Sequence, residues 1–166
     1  MSGLVWMVPI TGALAILFAI YLARDVLSRD TGTPAMQEVA AMIFEGAMAF
    51  LSRQYRTIAM LAVVTAVLIG ALVGGFDSST EEGILTAVAF LLGAFCSSLA
   101  GYIGMYISVR SNVRTASAAT RSLRDAITVA LRGGAVSGFL VTALSLLGVA
   151  GIFGLHGGYL VLSYRL

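Results

Sequence analysis

Thr57-Ile58-Ala59-Met60-Leu61-Ala62-Val63-Val64-Thr65-Ala66-Val67-Leu68-Ile69-Gly70-Ala71-Leu72-Val73-Gly74-Gly75-Phe76 runs for 20 residues without a charge. A helix rises about 1.5 Å per residue, so ~20 residues cross a hydrocarbon core of about 30 Å. Working outward, three more uncharged apolar runs cover residues 4–23, 84–109 and 133–155, of 20, 26 and 23 residues. The 26-residue run is long enough to cross with tilt. The alternation of barrel strands is absent, and an open strand would leave its backbone unpaired in lipid. The chain therefore reads as an all-α integral membrane protein. It has four transmembrane helices, at about 4–23, 57–76, 84–109 and 133–155, in a single membrane domain over 1–166.

Composition points the same way. The chain is 59% hydrophobic and only 11% charged, against about 25% charged in ordinary soluble domains. Too few charges exist to coat a water-exposed globule. All ten basic residues are Arg, and the net charge of +2 argues for no nucleic-acid partner. Cys96 is the only cysteine and His156 the only histidine. They exclude a disulfide, a zinc pair and a Cys–His nucleophile within this sequence.

The charges fix an expected orientation. Arg24, Arg29, Arg53 and Arg56 lie in the segment 24–56, and Arg110, Arg114, Arg121, Arg124 and Arg132 in the segment 110–132. The short link 77–83 holds Asp77, Glu81 and Glu82 and no basic residue. The positive-inside rule makes the two Arg-bearing segments cytoplasmic. The N-terminus, the acidic link and the tail with Arg165 then face outside. No basic residue precedes the first apolar run, as a signal peptide would require, so that run reads as a retained helix. Trp6 and Tyr21, near its two ends, read as interface anchors.

The segment before the second run is not a plain loop. Thr33 is a possible N-cap and Pro34 suits the first helical position. Met36, Val39, Ile43, Ala47 and Phe50 recur every three or four residues. With no breaker before Phe76, one helix is expected from about residue 35, its first half protruding into the cytoplasm. The pairs Gly70/Gly74 and Gly134/Gly138, with Gly101, Gly104, Gly148, Gly151 and Gly154, predict close helix packing, within the chain rather than along a dimer seam.

Two segments are more specific. Glu45-Gly46-Ala47-Met48-Ala49-Phe50-Leu51-Ser52-Arg53-Gln54-Tyr55 lies on the second helix. Gly101-Tyr102-Ile103-Gly104-Met105 ends the third apolar run, followed by Asn112-Val113-Arg114-Thr115-Ala116 and by Arg132-Gly133-Gly134-Ala135-Val136-Ser137-Gly138. In order and spacing these resemble the N-terminal part of the membrane-bound, ion-translocating pyrophosphatases, over roughly residues 32–139. The resemblance implies an enzyme that hydrolyses pyrophosphate in the cytoplasm and pumps H⁺ or Na⁺ outward. It further implies Mg²⁺, a homodimer, and catalytic Asp, Lys and Asn on later helices. Such a substrate needs carboxylate-held metal ions and cationic side chains to neutralise its charge.

The sequence has no Lys, and its four Asp (Asp25, Asp30, Asp77, Asp125) show no D-x-x-x-D or D-x-x-G-D spacing. No catalytic residue and no metal ligand is therefore expected here. The chain reads as the N-terminal fragment of a larger pump: outer-ring scaffold, inactive alone, whose partners are the remaining helices and membrane lipid. The tail 156–166 matches nothing in the family pattern. The alternative is a stand-alone four-helix membrane scaffold or assembly protein without catalysis.

The residues carrying the resemblance, with structural or coupling roles expected, are Glu45, Arg53, Gln54, Tyr55, Gly101, Tyr102, Gly104, Asn112, Arg114, Thr115 and Arg132. Glu45 reads either as a scaffold salt bridge to Arg53 or Arg56, or as a participant in coupling or ion exit. Asn112, Arg114 and Thr115 read as a basic membrane-surface segment that touches anionic lipid, or as braces around the pyrophosphate site. Arg132 abuts Gly133-Gly134 at an expected helix start. Lacking the Lys-Ser/Thr of a phosphate loop, it reads as packing. Arg121 and Asp125 are spaced to pair at i,i+4.

Overall fold

A computed structural model describes residues 2–76 and 80–155. Asp77, His156 and the tail with Arg165 lie outside the described residues. Four helices follow in order: α1 (Ser2–Leu27), α2 (Pro34–Phe76), α3 (Thr80–Ala119) and α4 (Leu123–Leu155). All four are long and apolar enough to cross a membrane, and no strand occurs among the described residues.

The second helix is continuous as expected, at 43 residues or about 64 Å. Thr33 caps it: the Met36 N–H donates to the Thr33 hydroxyl oxygen at 3.4 Å, and the Gln37 N–H to the Thr33 carbonyl at 3.1 Å. The α1–α2 turn needs Gly32, whose φ is +76°, a conformation costly for a residue with a Cβ.

The last two helices run further than their apolar runs. Helix α3 passes Val109 and ends at Ala119, and α4 begins at Leu123, before Arg132. Hydropathy stops at the first charge, but a helix does not. The segment 110–132 is thus two helix ends joined by a tight turn, in which the Ser122 N–H donates to the Ala118 carbonyl at 2.9 Å. Ser122 caps α4 through the Asp125 N–H at 3.4 Å.

The helices form an open row rather than a closed four-helix bundle. Helix α3 packs on α2 and α4, α1 packs on α4 and lightly on α3, and no α1–α2 contact occurs among the described residues. The core lies where α1, α3 and α4 meet. Ala19, Leu22, Ile107, Val136 and Leu140 form one buried cluster. Val26, Ala118, Ala126 and Val129 form a second, nearer the arginine-bearing end. Helix α2 has only Leu51 and Ala66 buried, and its far face exposes Met60, Val64, Val67 and Leu68.

Close approaches set the register. Gly83 abuts Gly70 and Gly74, Gly101 underlies the Tyr55 hydroxyl, Gly104 abuts Ser137, and Gly133 abuts Ser111. The Gly70/Gly74 pair therefore packs within the chain as expected, whereas Gly134, Gly138 and Gly151 face open space. Tyr55 beside Gly101 also places Arg53 and Arg56 next to the later part of the third apolar run. The apolar runs of α2 and α3 thus end at depths differing by ten residues, about 15 Å.

Candidate functional site

The polar chemistry concentrates where the C-termini of α1 and α3 meet the N-termini of α2 and α4. A helix C-terminus leaves carbonyls without intrahelical partners. Arg114 supplies donors for α1: its Nε and one terminal nitrogen donate to the Leu27 carbonyl at 3.3 and 2.9 Å. Its other terminal nitrogen donates to the Arg110 carbonyl at 2.7 Å. Arg114 is therefore a cap that ties α1 to α3.

Arg132 ties α1 to α4. Its guanidinium donates to Asp25 at 2.7 Å, and Asp25 also pairs with Arg29 at 3.3 Å, one helical turn away. Because α4 begins at Leu123, Arg132 lies inside the helix and not at its start. The expectation of a Gly-rich helix start there is corrected, and with it any helix-terminus phosphate site. Arg29 keeps one buried nitrogen, Nε, without a hydrogen-bond partner among the described residues.

Asp30 ties the α1–α2 turn to the α3–α4 turn. It accepts from the Ser117 hydroxyl at 2.8 Å and from the Gly32 N–H at 3.2 Å, and faces Arg121 at 3.6 Å. The expected Arg121–Asp125 pair does not form, because the turn at 120–122 breaks the shared face and Arg121 reaches Asp30 instead. The Ser117 hydroxyl first, and then the Gly32 N–H, hold the Asp30 carboxyl below its ordinary pKa. A folded-state pKa that is lowered adds stability at neutral pH, and that stability is lost as the pH falls through it.

Tyr55, Gly101 and Tyr102 come together on the α2–α3 seam. The two rings meet edge to face, 6.2 Å apart at 80°. A Cβ on Gly101 would lie 2.6 Å from the Tyr55 hydroxyl. Gly104 does the same work on the α3–α4 seam, under Ser137. The Thr115 hydroxyl donates to the Ser111 carbonyl of its own helix at 3.0 Å. The structure does not bring Glu45, Arg53, Gln54 or Asn112 into this network; all four are exposed. Glu45 forms no ion pair among the described residues. Arg53 lies eight residues on, about 12 Å along the axis, out of reach of a direct bridge.

Sequence reasoning missed Asp25, Asp30 and Ser117, and it missed the stack of Phe44, Tyr106 and Arg110. The one available signal was Asp25 four residues before Arg29, just past an apolar run. The pairings of Asp25 with Arg132 and of Asp30 with Ser117 are long-range and leave no local pattern.

These residues do not fit a metal centre. Among the described residues no group of three or more His, Cys, Asp or Glu could hold an ion. Asp25 and Asp30 are committed to arginines, and Glu81 and Glu82 lie at the opposite end of the row.

Comparison with known proteins gives a consistent picture. The family model for inorganic H⁺ pyrophosphatase matches residues 13–162. The chain is 54% identical over 151 residues to a K⁺-insensitive pyrophosphate-energized proton pump 2 of Moorella thermoacetica, covering 91% of this chain and 21% of that protein. It is 44% identical over 157 residues to a K⁺-insensitive pyrophosphate-energized proton pump of Methanosarcina mazei, covering 95% and 22%. It is 35% identical over 149 residues to a putative K⁺-stimulated pyrophosphate-energized sodium pump of Bacteroides thetaiotaomicron, covering 90% and 20%. The chain thus spans about a fifth of the length of the relatives it matches. No solved structure matches it.

Proposed function

The chain belongs to the inorganic H⁺ pyrophosphatase family, and from this we propose that it forms the scaffold helices of a pyrophosphate-energised proton or sodium pump. Pyrophosphate is hydrolysed at the cytoplasmic face and the ion moves outward. The arginine-rich end, with segments 24–56 and 110–132, is the cytoplasmic end. The N-terminus and the Glu81/Glu82 end face outside. Mg²⁺ and pyrophosphate are held by residues of further pump helices, and the exposed faces of the row meet those helices, lipid, and a second subunit in a homodimer.

The observation that carries this reading is the family match over 13–162, joined to a polar network that ties α1 to α3 and α4. In a scaffold the charged groups brace one another and leave no convergent acid cluster for a substrate. The relatives are named as pumps, which disfavours a stand-alone membrane scaffold.

The reading makes a direct prediction. Expressed by itself and purified in detergent, this 166-residue chain is expected to show no Mg²⁺-dependent release of phosphate from pyrophosphate above the uncatalysed rate. Turnover by the purified chain would refute the scaffold assignment.

A further inference from the structure

One cleft holds two arginines that have no counter-charge among the described residues. It measures about 290 Å³ and opens between α2, α3 and the α1–α2 turn. Gln37 and Phe44 wall it on α2, Arg110 and Arg114 on α3, and Thr31 closes it from the turn.

Arg110 is held by aromatic faces. Its guanidinium carbon lies 4.5 Å from the centre of the Tyr106 ring and 4.9 Å from that of Phe44. Those rings meet edge to face at 5.6 Å. Rings orient a guanidinium without neutralising it and without using its N–H donors. Arg114 spends three N–H donors on backbone carbonyls, and its fork has five, so two remain.

Neither arginine meets a carboxylate among the described residues. The ion pairs among the described residues join Asp25 and Asp30 to Arg29, Arg121 and Arg132. Arg110 and Arg114 lie one turn apart on the same helix and repel each other. Two fixed forks with spare N–H donors suit the tetrahedral oxygens of one phosphate group, which would also cancel that repulsion.

We propose that this cleft binds a phosphate group, clasped between Arg110 and Arg114, supplied either by free phosphate or pyrophosphate or by an anionic lipid headgroup. The proposal rests on the cleft's own residues and does not depend on the pump reading.

The test is the rate at which phenylglyoxal modifies each arginine, read by peptide mass spectrometry in phosphate-free buffer. In detergent, inorganic phosphate at about four times its dissociation constant should slow Arg110 about fivefold. Arg124, exposed on α4 and outside the cleft, should be unaffected. A second arm compares nanodiscs of phosphatidylcholine with nanodiscs containing phosphatidylglycerol. Protection by inorganic phosphate or pyrophosphate assigns the site to a free ligand; protection by phosphatidylglycerol alone assigns it to lipid. In Arg110→Gln, checked for helicity by circular dichroism, protection of Arg114 should vanish. Equal rates at Arg110 in every condition, equal protection of Arg124, or unchanged protection of Arg114 in the variant would each overturn the proposal.

Discussion

Replacing Gly83 with leucine is expected to separate α2 from α3 and to lower stability by at least about 1–3 kcal/mol, the usual cost of overpacking. Gly83 is buried at the closest approach of the two helices. A Cβ there would run into the Gly70 carbonyl oxygen, and would lie 2.9 Å from the Gly74 nitrogen and 3.0 Å from the Gly74 Cα. These are backbone atoms, with no rotamer to change, so relief requires moving a helix. In lipid, association depends on such close packing, because apolar side chains gain little by leaving the acyl chains. Gly93 on the same helix supplies the control: a Cβ there meets nothing within 4 Å. Gly93→Leu should change stability by no more than about 1 kcal/mol, the propensity gap between glycine and a good helix former. Thermal unfolding of both variants in detergent reads the difference. Equal stability of the two would mean that the glycine contact does not set the α2–α3 packing.

The second large effect is expected at the Asp25–Arg132 pair. Asp25 is the shared acceptor for Arg29 and Arg132, so Asp25→Ala leaves two guanidinium groups without a carboxylate, one of which already has a nitrogen with no hydrogen-bond partner among the described residues. Breaking a fully buried pair costs about 3–5 kcal/mol. Here the side chains are 24% and 38% exposed, and water screens them, so the loss is well below that of a buried pair. Arg132→Ala should cost less, because Asp25 keeps Arg29. The double variant should lose less than the sum of the single losses, since each removal cancels part of the other's penalty. Unfolding measurements on the four proteins give the coupling directly. Strict additivity would show that the α1–α4 bridge contributes nothing.

Much of the fold was legible in the sequence because its physics is local. Four charge-free runs determine four spanning helices, and Thr33 with Pro34 determines where α2 begins. The ends of α3 and α4 were less legible, since Arg110 and Arg132 interrupt hydropathy without interrupting a helix. Depth was not legible at all. That Tyr55 lies on Gly101 follows from packing two helices together, and no single run encodes it. The site divides in the same way. The motif residues Tyr55, Gly101, Tyr102, Gly104, Arg114 and Arg132 prove to be contacts between helices. Their partners Leu27, Asp25 and Ser137 lie far away in sequence and could not be read beside them. Glu45, Arg53 and Gln54 are exposed on α2 and join no ion pair among the described residues, and Asn112, also exposed, lines a groove with Ala35, Met36 and Ile43 of α2.

The central claim is that these four helices brace a pyrophosphate-driven pump. It is tested most directly by a chimera in which the matching segment of the Moorella thermoacetica proton pump, 54% identical, is replaced by this chain. In inside-out vesicles that expose the arginine-rich end, added Mg-pyrophosphate should be hydrolysed and should drive ion uptake into the lumen, as in the parent pump. A chimera that reaches the membrane folded, yet neither hydrolyses pyrophosphate nor moves ions, would contradict the account.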